Sequence, residues 1–454
     1  MWSRFERLLR FVGKYDDSST DRLTQNLGRW FGKAFWAVTD QGLFATSNFL
    51  VNLLLARWLV PQDYGIFTVA FTVTLLWQVL YYALITEPML VFGPGRYREH
   101  LSEYLGILVY AHLGFASLSV LLLMIISLVL ALSGSSALSV VLVASALAGP
   151  LISLLWLMRR ACYTRLAPHL AALGGGLYVI LMLGGTYILY WRGWLSAVSA
   201  FGVMGVASLL VSLWLAVRLR TKLPSLSDKD RIRDALQRHW DYGRWSIATR
   251  VLYWTPANIY YLLLPVWAGF EASAALKALM NLFMPILQTN VALSAILVPT
   301  LVQARAHAGF RTYVRLALVP FVLGPVLYWI LLGAFHRPIV STLYAGKYLD
   351  HADMVWLLGL LPVASGITAV TSAALRAMER PDQLFWAYVP STVIALTVGL
   401  ALMFAWGTSG AATALVITYA ATAIVTSLVY LRLRSEPSEE GKVSLAENRT
   451  PTGD

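Results

Sequence analysis

The chain of 454 residues is 58% hydrophobic and only 13% charged, with a net charge of +12. A soluble domain would hold about a quarter charged residues. Here uncharged apolar runs of about twenty residues, the length that crosses a bilayer, recur throughout, which excludes a set of soluble domains and makes an all-α polytopic membrane protein.

Residues 1–33 are polar and basic and lack the pattern of a cleavable signal peptide. Within them, WSRFERLLRFVGK at 2–14 places Trp2, Phe5, Leu9 and Val12 near one helical face, with Arg4, Arg7 and Arg10 elsewhere. Such an amphipathic segment is expected to lie on an anionic leaflet. About twelve spans follow, at roughly 34–57, 65–92, 104–132, 137–158, 170–191, 194–217, 243–269, 272–303, 313–335, 353–375, 384–405 and 410–431. They fall into an N-lobe (34–217) and a C-lobe (243–432), joined by a linker (218–242) and followed by a polar tail (433–454). The linker stretch SDKDRIRDALQRHW begins with a Ser/Asp cap signal and reads as a short helix. The Glu/Ser-rich tail is expected to be disordered.

Most of the 35 Lys and Arg fall in the N-terminal segment, the linker, the tail and alternate loops, among them Arg96 and Arg98, Arg159, Arg160 and Arg165, and Arg376 and Arg380. The other side holds only Arg57, Arg192, Arg337 and Lys347. This bias puts both termini and the linker in the cytoplasm. The basic excess therefore reports membrane orientation, not nucleic acid.

The two halves repeat each other in part. GRW at 28–30 precedes span 1 and GRW at 243–245 opens span 7; LLLARW at 53–58 parallels LLLPVW at 262–267. Two six-helix, pseudo-symmetric lobes with the same membrane orientation are a transporter architecture, in which a site between the lobes opens to alternate sides.

Charges inside spans are costly and mark functional positions. Asp40 in span 1, Glu87 in span 2 and Arg250 in span 7 lie at a common depth, about 10 Å inside the cytoplasmic boundary at 1.5 Å per residue. Lys277 in span 8 lies nearer the outer end. Arg250, Trp254, Asn258 and Tyr261 share one face of span 7; Lys277, Asn281 and Gln288 share one face of span 8; and Gln41, Asn48 and Asn52 share one of span 1. These stripes predict a hydrated cavity. Its cations would suit a phosphate, and its amides and aromatic faces would suit a sugar. Asp40 and Glu87 would orient Arg250 or take protons as coupling groups. Snorkelling and helix–helix hydrogen bonds are the alternative uses of these residues. Pro88 beside Glu87, Pro256 and Pro265 in span 7, and Pro285 and Pro299 in span 8 predict bends.

No GxxxxGK[ST], HExxH or GxSxG motif is present, and the seven histidines lack metal-ligand spacing. The single cysteine, Cys162, allows neither an intrachain disulfide nor a cysteine-based metal site. No catalytic residue, metal or cofactor is therefore expected. The largest extracytoplasmic loop, 336–352, is too small for a catalytic domain.

LLLARWLVPQDYGIFTVAFTV at 53–73 carries Ala56, Arg57, Pro61, Asp63, Tyr64 and Gly65 in a pattern that resembles the first hairpin of the polysaccharide flippases of the MOP superfamily. ITEPMLVFGPGRY at 85–97 and ALRAMERPD at 374–382 are also similar to that family. The resemblance implies a MATE-like fold with a cationic central cavity, in the bacterial inner membrane. It implies movement of a polyprenyl-diphosphate-linked oligosaccharide to the outer leaflet by alternating access, often coupled to an ion gradient. Membrane lipids and polysaccharide-synthesis proteins would be its partners, in exopolysaccharide or lipopolysaccharide production. Two transporter alternatives stand beside it: a MATE-like antiporter, and a major-facilitator protein, against which GPGRYREH at 93–100 lacks the usual Asp. A membrane glycan polymerase or ligase would have to use His336, Arg337 and His351.

Overall fold

The computed structural model describes residues 17–224, 228–305 and 310–435, and among the described residues it contains helices and turns but no strand. The helices are α1 (Asp17–Trp58), α2 (Pro61–Phe92), α3 (Leu101–Leu132), α4 (Ser136–Thr164), α5 (Pro168–Trp191), α6 (Ala197–Arg218), α7 (Lys229–Leu282), α8 (Met284–Arg305), α9 (Phe310–Ala334), the short α10 (His336–Tyr344), α11 (Met354–Ala377), α12 (Pro381–Ile394) and α13 (Leu400–Ser435). Ten segments among the described residues are long and apolar enough to cross a bilayer. Two of them contain a break, at Gly269 (φ 77°) in α7 and at Gly407 (φ 58°) in α13, a backbone region that glycine enters without steric cost. With α1 added, with these breaks counted as turns, and with the α7 segment after Gly269 joined to α8 as one span, the described residues have the twelve-helix membrane architecture that the hydropathy predicts.

Several boundaries differ from the sequence reading. α1 is already helical at Asp17, inside the segment read as polar and separate from span 1. The linker helix is not short: it is the start of α7 and runs without a break into span 7. Span 8 is interrupted at Phe283, two residues before Pro285. α4 continues to Thr164, which moves Arg159 and Arg160 out of the expected loop and into a helix. The amphipathic stretch 2–14 and the tail beyond residue 435 lie outside the described residues.

In the first half α1 packs on α5, α4 on α6 and α3 on α4; in the second half α11 packs on α8, α9 and α13. The most extensive contact joins the halves, α2 against α7. Without a hydrophobic drive between helices in lipid, such contacts depend on close packing and hydrogen bonds. Glycine supplies the closeness at both ends of the α2–α7 seam. A Cβ on Gly65 would lie 1.9 Å from the Phe270 carbonyl oxygen, and one on Gly243 2.8 Å from that of Ala83.

Proline supplies the hydrogen bonds. A helical proline lacks an N–H and frees the carbonyl four residues before it, and a carbonyl inside a membrane needs a donor. Pro88 frees Leu84, whose oxygen accepts from His239 Nδ1 at 3.0 Å. Pro256 frees Leu252, which accepts from Thr392 Oγ1 at 3.0 Å. Pro265 frees Tyr261, which accepts from Ser273 Oγ at 3.2 Å. Three predicted bends are thus three points where one segment is fastened to another.

Candidate functional site

The α2–α7 seam holds a charged pair that joins the halves. On α2 the helix widens into a π-turn over Tyr82–Thr86, and Glu87 and Pro88 follow at once. π-turns inside helices recur at functional sites because they re-aim the next side chain. His239 donates through Nδ1 to Leu84, so its Nε2 accepts the Tyr104 hydroxyl, 2.6 Å away. The start of α7 is thereby fixed to the π-turn. About three turns further along α7, Arg250 Nε donates to Glu87 Oε2 at 2.9 Å and to Ser246 Oγ at 3.2 Å, and Ser246 donates its own proton to the same carboxylate. The Arg250 guanidinium lies 4.1 Å from the centroid of Tyr82. The side chains of Arg250 and Glu87 keep 35% and 26% exposure.

Lys277 stands on the return arm of α7, with its ammonium 5.3 Å from the Tyr261 ring centroid and 5.8 Å from that of Phe71 on α2. It has no ion pair or hydrogen bond among the described residues. Within the seam, Arg250 thus has a carboxylate partner and Lys277 has none among the described residues.

The uncharged residues predicted for the site divide. Trp254 is buried with its indole N–H unpartnered, and its carbonyl accepts the Asn258 amide at 2.9 Å. Tyr261 is buried under Lys277. Asn281 is buried, and its amide reaches the Phe49 carbonyl of α1 at 3.4 Å. Phe49 adjoins Asn48, whose carbonyl accepts the Asn52 amide at 2.8 Å, leaving Asn52 Oδ1 buried without a partner. Gln288 on α8 is half-buried. The structure thus brings Arg250 to Glu87, Lys277 to Tyr261, and Asn281 beside Asn48; no direct contact joins these three groups.

Asp40 is elsewhere. It does not orient Arg250, as the common depth suggested, but is fully buried inside the first half. Its Oδ1 accepts from Arg159 Nε at 3.1 Å and Nη2 at 2.8 Å, and its Oδ2 from the Tyr163 hydroxyl at 2.7 Å. Arg159 is stacked on Phe44 at 3.9 Å, and Gly175 leaves room for the carboxylate. Arg159 is the buried cation that the sequence reading missed, because it was counted as a loop residue. The signal was its apolar continuation, Ala161 and Cys162, which are buried and keep α4 helical.

At the end of the molecule remote from residues 229–242, the halves are fastened by main-chain carbonyls. Arg57 donates to Thr342 and, at 3.2 Å, to Leu343, while Lys347 donates to Arg57 at 2.5 Å and Leu59 at 2.7 Å. Burial, and then the like charge of Arg57, hold the Lys347 pKa below its usual value. Nearby, His336 and Arg337 both bind Asp353, at 2.9 Å each for their nearest contacts. They brace α10 to the start of α11. No group of three or more metal-ligating side chains occurs among the described residues.

No family model and no curated protein matches the chain in sequence. Its fold is shared by solved structures at low identity. The inward-facing form of a multidrug resistance MATE family transporter of the MOP superfamily matches with a TM-score of 0.72 and 14% identity, over 92% of this chain and 100% of that one. The inward closed form of the lipid II flippase MurJ matches with a TM-score of 0.70 and 14% identity, over 89% and 88%. A MOP superfamily transporter from Pyrococcus furiosus, described as having a binding pocket of reversed polarity, matches with a TM-score of 0.61 and 14% identity, over 88% and 94%. The chain is a multi-pass membrane protein with the fold of the MOP superfamily transporters and flippases.

Proposed function

We propose that this protein is a flippase for polyprenyl-diphosphate-linked oligosaccharide in the bacterial inner membrane, with both termini and the linker cytoplasmic and with transport rather than catalysis as its activity. The observation that carries the reading is the charge inside the seam: Arg250 is paired with Glu87, while Lys277 has aromatic neighbours and no ion pair among the described residues. A buried cation without a counter-charge is costly, and an anionic substrate offsets that cost. Arg250 would take the diphosphate, with Lys277 as a second cation nearer the outer side. Trp254, Asn258, Tyr261, Asn281, Gln288, Asn48 and Asn52 would offer aromatic faces and amides to the glycan. Glu87 would hold Arg250 until the diphosphate replaces it, and would be the group that takes a proton during cycling. The proposed units are an N-lobe of 34–217 and a C-lobe of 243–432, rocking about the α2–α7 seam.

The antiporter reading draws on the MATE fold and on Asp40, a buried acid in the first long helix. Its weakness is that Arg159 already neutralises Asp40. Lipid analysis of cells lacking the gene, complemented with the wild-type chain or with Arg250→Ala, separates the two. The flippase reading expects lipid-linked oligosaccharide to accumulate on the inner leaflet and to clear only with the wild-type copy. Normal lipid pools together with lost drug efflux would replace it with the antiporter reading.

A further inference from the structure

At the linker-bearing end of the first six helices lies a cluster of cations that the seam does not use. α4 ends at Thr164 and Leu166 turns out with φ 55°; α6 ends at Arg218 and Arg220 turns out with φ 47°. Both turns converge on the first turn of α3. Arg165 Nη2 donates to Ser102 Oγ at 2.6 Å, and the Lys222 N–H donates to the Ser102 carbonyl at 3.2 Å. The approach is tight, since a Cβ on Gly106 would lie 2.0 Å from the Lys222 oxygen.

The cluster is unfinished. Arg165 Nε and Thr221 Oγ1 are both buried atoms with no hydrogen-bond partner. Neither Arg165 nor Arg220 forms an ion pair among the described residues. Glu103, the acid on the first turn of α3, is bonded to Arg231 at 3.4 Å. Burial, and next the like charge of Arg220, lower the Arg165 pKa. Two arginines close enough to repel, beside two buried donors without partners, suit a ligand that is anionic and offers several oxygens. A phosphate meets both conditions, and the planar fork of arginine matches it. Leu166, Val217 and Leu223 are exposed around the cluster, which gives the phosphate an apolar flank.

We propose that Arg165, Arg220, Ser102 and Thr221 form a binding site for the phosphate of an anionic phospholipid headgroup, separate from the α2–α7 seam and independent of the flippase reading. The apolar flank decides for a lipid over free phosphate. The site would tie the ends of α3, α4 and α6 to the leaflet surface while the seam opens and closes.

The test uses the full chain in phosphatidylcholine nanodiscs with rising fractions of phosphatidylglycerol, read by native mass spectrometry of retained lipid and by thermal unfolding. Retention of phosphatidylglycerol and a matching rise in melting temperature are expected. Arg220→Gln should weaken retention about tenfold or more, the worth of one charge-assisted hydrogen bond. Arg220 is exposed, so its loss should leave folding intact, and Arg315→Gln, which removes an exposed charge in the other half, should retain lipid as the wild type does. Arg165→Lys should fall between, because it keeps the charge and loses the fork. Equal retention by Arg220→Gln and wild type, or an equal loss in Arg315→Gln, overturns the proposal. Protection by inorganic phosphate alone, at the same phosphate concentration, overturns the lipid as its occupant.

Discussion

Two arginine–carboxylate pairs form inside this membrane protein, and they differ in what surrounds them. Asp40–Arg159 lies within the first half, with side-chain exposures of 0% and 5%, three donors on the carboxylate and an aromatic ring over the guanidinium. Glu87–Arg250 lies between the halves, with exposures of 26% and 35% and one oxygen engaged. The first pair is closed to solvent, with its carboxylate fully engaged, and it joins α1 to α4. The second is partly open to solvent and sits where the two halves meet. Similar chemistry is thus shut away from solvent in one place and reachable in the other, and the proposed exchange of Arg250 from Glu87 to a diphosphate needs the second.

The largest expected effect breaks the buried pair. Arg159→Gln leaves the Asp40 carboxylate buried without its cation, which costs about 3–5 kcal/mol. The measurement is detergent-solubilised melting temperature and yield, and both should fall steeply. The paired substitution Asp40→Leu with Arg159→Met should recover most of the loss, because an apolar pair of similar volume carries no buried charge.

Arg250→Ala should do the opposite, with stability changed by about 1 kcal/mol or less, since a partly exposed pair is worth little, and export abolished in the complementation assay. A mutant with lost folding instead would put Arg250 in the same class as Arg159 and remove the contrast. Lys277→Gln is expected to slow export with little change in yield, less severely than Arg250→Ala. Glu87→Gln keeps an acceptor for Arg250 but not a titrating group, so export rate measured across an imposed proton gradient should lose its dependence on that gradient while the protein folds normally.

The smallest effect concerns Asp353, where hydrogen bonds first from His336 and then from Arg337 hold the carboxyl pKa below its usual value. A depressed folded pKa means that the stabilisation is present above the unfolded carboxyl pKa and is lost as pH falls through the folded value. Unfolding followed from neutral to acid pH should show wild type and Asp353→Asn converging at low pH. A gap that persists there would show that the residue acts by packing, not by charge.

Much of the helix count was legible because hydropathy is a local property: a run of apolar residues has to span, whatever its neighbours do. Helix ends were less so. Arg159 and Arg160 read as loop residues because charge usually marks the end of a span, yet Asp40, more than a hundred residues away in sequence, lets α4 keep its arginine inside. The linker likewise read as a separate helix, because nothing local says that His239 and Gly243 are held against the π-turn of α2 and so keep α7 continuous. Of the predicted site, the shared face of Arg250, Trp254, Asn258 and Tyr261 followed from helical geometry alone. Which carboxylate Arg250 would meet did not, since Asp40 and Glu87 lie at equal depth.

The sequence by itself determined that the chain crosses the membrane repeatedly as helices, that its helical prolines leave backbone carbonyls free, and that cations stand inside the apolar spans. Each of these is set by the properties of residues within a few turns of one another. Only the tertiary structure decided which charge meets which, because that depends on helices brought together from distant parts of the chain. It buried Asp40 with Arg159, left Glu87 and Arg250 accessible at the junction of the halves, gave Lys277 aromatic neighbours and no ion pair among the described residues, and supplied the carbonyls freed by Pro88, Pro256 and Pro265 with donors.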